Sequence, residues 1–366
     1  MMQQHLDGVR AALRHNFGYA WAVGIVMAVV TAVFAAVAEL PILDPDAVVA
    51  GVPAYVRMPA IILAAIAVDI VPRVVWRARR DGGGFAARWR EVVHERWPRQ
   101  QWVFAVGGVA AWYLTYATFR NLKSMVPFVN GKTWDVELRH LDQVLWFGHD
   151  PAVVMHDLFG TSWAAYLFAG VYFVWIVLVP ASIAFALVFA RNHAVSSWYV
   201  TAVAFDWALG AALYFAVPSL GPVFTEAQRG QFADLPYTYN TSLVDTLWSD
   251  RTAVLNDVFG AHTLQTIAAF PSLHVGIMVT ICLVVQYGGF ARWMRVTAWV
   301  FLGLTILATI YLGWHYFVDV IAGAGVGSLT VWLAALATGN RVGLRPVLRS
   351  SQEPVTVADA SSSSAR

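Results

Sequence analysis

Apolar residues fall into eight runs, each about long enough to cross a bilayer, separated by more polar segments. A transmembrane helix needs roughly 20 apolar residues, because the hydrocarbon core is about 30 Å thick and each helical residue adds about 1.5 Å. The runs lie at about 17–39, 53–72, 101–119, 163–190, 197–217, 271–288, 294–312 and 315–337. The pattern predicts an all-α, polytopic membrane helical bundle with about eight transmembrane helices.

Composition indicates the same class of protein. Apolar residues make up 59% of the chain and charged residues 13%, which is about half the charged fraction of a typical soluble domain. The net charge of +2 gives no support for nucleic-acid binding. The single cysteine, Cys282, excludes an intrachain disulfide and a cysteine-based metal site.

The arginine residues predict the orientation of the chain. Eight arginines lie between the second and third runs, whereas the segment 40–56 contains no basic residue. Because short cytoplasmic loops are enriched in Lys and Arg, both termini are expected in the cytoplasm. The bias towards Ala, Val and Arg is typical of a GC-rich bacterial genome, so the plasma membrane of a bacterium is the expected location.

Three regions follow from this pattern. Residues 1–100 are predicted to hold two spans and an arginine-rich cytoplasmic loop, and residues 101–340 a six-span catalytic core. The polar, Ser- and Ala-rich segment 341–366 is predicted to be a disordered cytoplasmic tail. The small residues Ala36 to Ala38 leave open cleavage of a secretory signal, but the first apolar run is longer than a usual signal core, which favours an uncleaved span.

A histidine stands at the predicted start of the sixth span, in the sequence Pro271-Ser272-Leu273-His274. Proline and serine are typical of the first turn and the cap of a helix. The free N–H groups of a helix start also favour a bound anion. Taken alone, the sequence fits a capped helix with an interfacial histidine equally well.

A second histidine opens the eighth span and is followed four residues later by an aspartate. His315 and Asp319 are therefore expected to share one helix face and to form a hydrogen bond. A carboxylate on one imidazole nitrogen leaves the other nitrogen free to attack, although a purely structural pair has the same spacing. Since the sixth and eighth spans run in the same direction, His274 is expected beside His315 at the non-cytoplasmic face, as part of an acid, base and nucleophile set.

These paired segments resemble the type-2 phosphatidic acid phosphatase superfamily, whose second and third motifs are PSGH and SRxxxxxHxxxD. The sequences PSLH at 271–274 and HYFVD at 315–319 are most similar to the branch that contains fungal inositol phosphorylceramide synthase. The segments 138–148 and 214–222 also resemble that branch, and the likeness covers about residues 101–337.

The resemblance implies a role for each matching residue. His315 is expected to be the nucleophile that forms a phosphohistidine, and Asp319 to orient it. His274 is expected to protonate the leaving oxygen and then to activate the acceptor. Ser272 is expected to hydrogen-bond the phosphoryl oxygens. The family needs no metal, and no cofactor is expected.

The chain departs from the family where phosphate-binding cations are concerned. The Ser-Arg pair of the third motif falls on Ala308 and Thr309, and no intact copy of the first motif, KxxxxxxRP, is present. A transferring phosphoryl group still needs positive charge around it. Arg120 and Lys123 are the best substitutes, Arg120 more than Lys123, although both also fit the pattern of interfacial anchors.

The remaining polar residues are interpreted as structural. Asp206, Asp69 and Arg57 lie within predicted spans, where they are expected to pair with one another or to face cavities in the bundle. The loop histidines His140, His149 and His156 are not expected at the site.

The function expected from these patterns is a membrane phosphotransferase that acts on a lipid-linked phosphate ester. If water is the second acceptor, the same site makes a lipid phosphate phosphatase. A transporter or flippase with a His–Asp relay is a remote alternative, because the polar residues lie at span ends and no repeated halves are evident. The sequence indicates no oligomeric state.

Overall fold

The computed structural model describes residues 17–45, 54–82, 84–189 and 192–348 and is almost entirely helical. Thirteen α-helices follow one another along these residues: α1 Gly18–Val37, α2 Ala54–Asp81, α3 Phe85–Arg96, α4 Arg99–Val129, α5 Asp135–Leu145, α6 Pro151–Phe159, α7 Trp163–Val188, α8 His193–Ala216, α9 Glu226–Arg229, α10 Tyr239–Asn256, α11 Leu273–Tyr287, α12 Arg292–Tyr311 and α13 Phe317–Thr338. The prediction of an all-α polytopic bundle is confirmed.

Seven of the described helices are long and apolar enough to cross a membrane: α1, α2 from Pro59 onward, α4, α7, α8, α12 and α13. The chain is therefore an integral membrane protein. The predicted sixth span, α11, is apolar but has only 15 residues, about 22 Å of helix against a hydrocarbon core of about 30 Å.

Helix α4 extends further than the predicted third span at 101–119, because it continues to Val129. Apolar residues at Leu122, Met125 and Val126 keep the helical period and are buried, which explains the extension. Arg120 and Lys123 therefore lie within the last three turns of α4 instead of following the end of the span.

The end of the bundle at which α4, α8 and α12 finish and α7, α11 and α13 begin is called the site end. Its connections form a cap of short helices, α5, α6, α9 and α10, with two 3-10 turns at Pro222–Phe224 and Gly230–Phe232. The arginine-rich segment with α3 lies at the opposite end. There, buried Asp69 accepts hydrogen bonds from Arg73, Arg96 and Trp97, which ties α2 to α3.

Small residues bring α11 and α13 into close contact. A Cβ at Gly323 would collide with the backbone carbonyl of Ser272, the N-cap of α11. A Cβ at Gly327 would collide with the backbone carbonyl of Gly276, within α11. Close approach through Gly-xxx-Gly spacing is typical of helix pairs in membranes. The packing fixes the start of α11 against the start of α13.

Another buried carboxylate, Asp206, lies inside the bundle. Asp206 of α8 accepts hydrogen bonds from Thr280 of α11 at 2.8 Å and Thr330 of α13 at 2.7 Å. Asp206 and Asp69 thus have separate partners and do not pair with each other. The side chain of Arg57 lies outside the described residues.

The chain after α13 begins with a short hairpin. Strand β1, Arg341–Val342, pairs antiparallel with β2, Arg345–Pro346. The first residues of the predicted tail are thus ordered, while the prediction for 349–366 lies outside the described residues.

Candidate active site

Two histidines meet at the site end. His274 lies in the first turn of α11, and His315 lies in the turn between α12 and α13. His274 Nδ1 is 2.9 Å from His315 Nε2, which is within hydrogen-bond distance. His315 is only 3% exposed. The two imidazoles that are 41 residues apart in the chain therefore form one pair.

The turn that carries His315 differs from the prediction. Helix α13 begins at Phe317, so His315 precedes the helix and does not share its face with Asp319. Gly313 has a φ of 74° and ends α12, and the N–H groups of Trp314 and His315 both donate to the carbonyl of Thr309. The left-handed backbone at Gly313 reverses the chain and brings the imidazole back over the helix start.

Asp319 nevertheless contacts the imidazole. Its Oδ2 lies 3.5 Å from His315 Nδ1 and accepts the N–H of Tyr316 at 2.8 Å. Asp319 is fully buried, and the carbonyl of Ala269 also faces the His315 ring. Among the described residues His315 Nδ1 has no hydrogen-bond partner, so the hydrogen bond expected between His315 and Asp319 is not formed. The carboxylate is close enough to act on Nδ1 electrostatically, on the side of the ring away from His274.

Ser272 forms the N-cap of α11. Its Oγ accepts the N–H of Val275 at 3.4 Å, and its side chain is fully buried. The Ser272 N–H donates to the carbonyl of Asp319 at 3.0 Å, which links the two segments directly. Because a hydroxyl that accepts can also donate, the Ser272 O–H is available to an anion at this helix start.

Lys123 acts electrostatically on the histidine pair, whereas Arg120 does not. The Lys123 ammonium acts electrostatically on both His274 and His315, and its Nζ lies 4.9 Å from the centre of the Tyr214 ring. Arg120 donates to the Tyr116 hydroxyl at 3.2 Å and acts on Lys123. Lys123 is thus the cation that acts directly on the histidine pair, and Arg120, the residue preferred from the sequence, acts on Lys123.

An aromatic wall packs around His274. The Trp175 ring centre lies 4.2 Å and the Tyr172 ring centre 4.9 Å from the centre of the imidazole. Tyr172 in turn stacks on Trp314, and Trp175 Nε1 donates to the His274 carbonyl at 3.0 Å. These contacts hold the His274 ring beside His315 and pack it on one side against aromatic carbon. No signal in the sequence separates these rings from an interfacial belt.

Two carboxylates of α5 hold the turn after α12 in place. Asp142 accepts the N–H groups of Phe317 and Val318 at 2.7 and 2.9 Å, at the N-terminus of α13. Burial raises the pKa of Asp142 to about 7, and these two hydrogen bonds partly oppose that shift. Asp135 accepts the Tyr316 hydroxyl at 3.1 Å. Sequence reasoning missed both roles, because an acidic residue in a loop helix usually faces solvent.

The loop histidines lie elsewhere. His140 and His149 are exposed, and His156 is buried with Nε2 2.8 Å from the carbonyl of Tyr311. Within the described ranges no group of three His, Cys, Asp or Glu side chains is arranged to hold a metal ion.

Comparison with known proteins gives one result. A family model described as the PAP2 superfamily matches residues 136–333, more than half of the chain. The matched residues include His274, His315 and Asp319 but exclude Arg120 and Lys123. No curated protein and no solved structure matches the chain.

Proposed function

Because the chain belongs to the PAP2 superfamily, we propose that it transfers a phosphoryl or phospho-headgroup from a lipid-linked ester through a phosphohistidine on His315. Membership of the superfamily indicates an activity of the phosphatase or phosphotransferase type. The observation that carries the finer proposal is the 2.9 Å contact of His315 Nε2 with His274, while Asp319 lies on the opposite nitrogen.

The first step forms the covalent intermediate. The lone pair on His315 Nε2 attacks phosphorus, and the bond from phosphorus to the leaving oxygen breaks. His274, in its protonated form, gives a proton to that oxygen and becomes neutral. Asp319 stabilises the positive charge that develops on the imidazole of His315. The phosphoryl group has to enter between His315 Nε2 and His274 Nδ1, which lie 2.9 Å apart.

The second step releases the nucleophile. Neutral His274 takes the proton from an acceptor hydroxyl, whose oxygen attacks phosphorus as the bond to His315 Nε2 breaks. His274 is then protonated and His315 is neutral, as at the start of the cycle. The same residue therefore serves as acid in one step and base in the other.

Positive charge and N–H donors support this chemistry. Lys123 lies close enough to act on both imidazoles, and Ser272 with the start of α11 offers an O–H and backbone N–H groups. Thr309 occupies the position of the missing motif arginine, which therefore carries no cation. Thr309 is fully buried, and its hydroxyl donates to the carbonyl of Ile306.

Burial of the nucleophile favours a transferase over a phosphatase. Ser272 and Asp319 are fully buried and His315 nearly so. A transferase has to keep water from its covalent intermediate until the acceptor hydroxyl arrives, and a water-poor site does this. The resemblance to inositol phosphorylceramide synthase supports the same choice, with a lipid or glycan hydroxyl as acceptor.

The experiment is to incubate the purified enzyme with candidate lipid phosphates and acceptor lipids. A new phospholipid without stoichiometric free phosphate is the expected product. Free phosphate as the main product, whether or not an acceptor is present, would instead assign water as acceptor and a phosphatase. Neither product from any lipid phosphate would contradict the proposal.

The site is proposed to face the non-cytoplasmic side, because the arginine-rich segment lies at the other end of the bundle. A cysteine at position 132, where the exposed Lys132 lies near the site end, should react with an impermeant reagent in intact cells. A cysteine in place of exposed Arg90 should react only after permeabilisation. The reverse labelling would move the site to the cytoplasm.

A further inference from the structure

Arg251 on α10 is a partly buried cation with no carboxylate partner. Within the part of the chain that the structure describes, no Asp or Glu oxygen lies within 4.0 Å of its guanidinium, whereas Arg139, also at the site end, is paired with Asp150 at 2.7 Å. Taking a charge out of water without an opposite charge is unfavourable. The guanidinium is thus suited to an anion that arrives from outside the chain.

One side of Arg251 is connected to the cation nearest the histidines. Arg251 Nη1 donates to Gln265 Oε1 at 3.0 Å, and Gln265 Nε2 donates to the carbonyl of Lys123 at 2.8 Å. Gln265 is fully buried, so this link is fixed. Two hydrogen bonds therefore join Arg251 to the turn of α4 that carries Lys123.

Asp135, which holds the His315 turn, also acts on Arg251. Asp135 attracts Arg251 electrostatically, but its oxygens already accept the N–H groups of Leu220 and Gly221 and the hydroxyl of Tyr316. Asp135 therefore attracts Arg251 from a distance and does not form an ion pair with it.

Arg120 also lacks a carboxylate partner. Among the described residues, none accepts a hydrogen bond from its buried Nε, and no carboxylate oxygen lies within 4.0 Å of it. Lys123 and Arg120 of α4 and Arg251 of α10 thus have no ion pair within the described ranges. The family's arginine is missing from position 309.

We propose that Arg251 binds the phosphate group of the substrate, in place of the arginine that the third motif lacks. This rests on the proposed function, since it takes the anion to be the lipid-linked phosphate. A guanidinium presents paired N–H donors that match two oxygens of a phosphate, which suits it to this position on the cap. Free inorganic phosphate offers the same oxygens and is therefore a usable probe.

The test measures the binding of inorganic phosphate to the purified full chain from the shift of its thermal unfolding with phosphate concentration. Arg251→Gln should raise the Kd for phosphate roughly tenfold or more, because a charge-assisted hydrogen bond is lost. Arg251→Lys, which keeps the charge but lacks the paired N–H donors of a guanidinium, should give an intermediate Kd. Arg229→Gln, at an exposed arginine of the same cap, should match the wild type.

An unchanged Kd in Arg251→Gln would overturn the proposal. A lower unfolding temperature with an unchanged Kd would assign Arg251 a structural role through Gln265 and overturn it equally. If Arg251→Gln does not fold, a Kd for Arg251→Lys equal to that of the wild type would have the same consequence. The probe needs no turnover, so failure of this proposal is distinct from failure to find a phosphohistidine in the wild type.

Discussion

The backbone N–H of Ser272 donates to the backbone carbonyl of Asp319 at 3.0 Å. This bond joins the N-cap of α11 to the first turn of α13, which are the two helices that carry the candidate acid and the partner of the candidate nucleophile. The contact between His274 and His315 depends on how closely these helix starts approach each other. The glycines of α13 set that distance.

Gly323 is therefore expected to be sensitive to the smallest side chain. In Gly323→Ala the new methyl group meets the carbonyl of Ser272, and overpacking of this kind costs about 1–3 kcal/mol. Both the unfolding temperature in detergent and the turnover rate should fall. The matched control is Gly325→Ala on the same helix, where the methyl group meets no atom within 4 Å. Equal behaviour of the two variants would contradict this account of the packing.

The pKa of Asp142 predicts how stability varies with pH. Its pKa is about 7 in the folded chain, mainly through burial, and well above the usual value for an aspartate. The folded state thus holds this proton more tightly than the unfolded state, and the stabilisation is full in acid and is lost as the pH rises through 7. The unfolding temperature should fall between pH 5 and pH 8, and Asp142→Asn should flatten that slope.

Asp150 provides the control for this slope. Burial works against its ionisation, but hydrogen bonds from Arg139 and Gln231 outweigh that effect and lower its pKa. Asp150 therefore stays ionised between pH 5 and pH 8, and its contribution to stability is lost only when the pH falls through its lowered pKa. Asp150→Asn should lower stability at both pH values and reduce the slope less than Asp142→Asn does, because the Asp150 charge contributes less than burial to the raised pKa of Asp142. An unchanged slope in Asp142→Asn would argue against the assignment.

Lys123 is expected to stabilise the transferring phosphoryl group. Lys123→Met keeps much of the apolar stem and removes the charge, so kcat/KM should fall about 30-fold or more, which corresponds to at least about 2 kcal/mol of transition-state stabilisation. Steady-state kinetics with a soluble phosphate ester measures this. Lys132→Met is the control, because Lys132 is exposed and pairs with Glu137. Activity of Lys123→Met within a few-fold of the control would return Lys123 to the role of an interfacial anchor.

The sequence predicted the bundle because span length and apolar composition are local properties. It also predicted that His274 and His315 share one face, since the number of crossings between them fixes their side of the membrane. The length of α11 was harder to predict, because the cap at Ser272 shortens a run whose apolar pattern begins earlier. The contacts of Asp142 and Gln265 could not be predicted, because each depends on residues more than 100 positions away in the chain.

The roles of the two histidines are separable with a substrate whose leaving group needs little protonation, such as a nitrophenyl phosphate ester. If His274 is the proton donor, its loss should reduce turnover of a lipid ester about 10²–10⁴-fold. The first step with the nitrophenyl ester should be spared. Asp319→Asn should be slow with both substrates, because the imidazole of His315 loses its preferred tautomer.

The most direct test of the phosphohistidine is rapid-quench detection of acid-labile phosphate on the protein with the nitrophenyl ester. The wild type should become labelled, and His315→Ala should show neither label nor turnover. His274→Ala should accumulate the label, because its second step lacks a base. Label that persists in His315→Ala but is absent from His274→Ala would contradict the account and reverse the two roles.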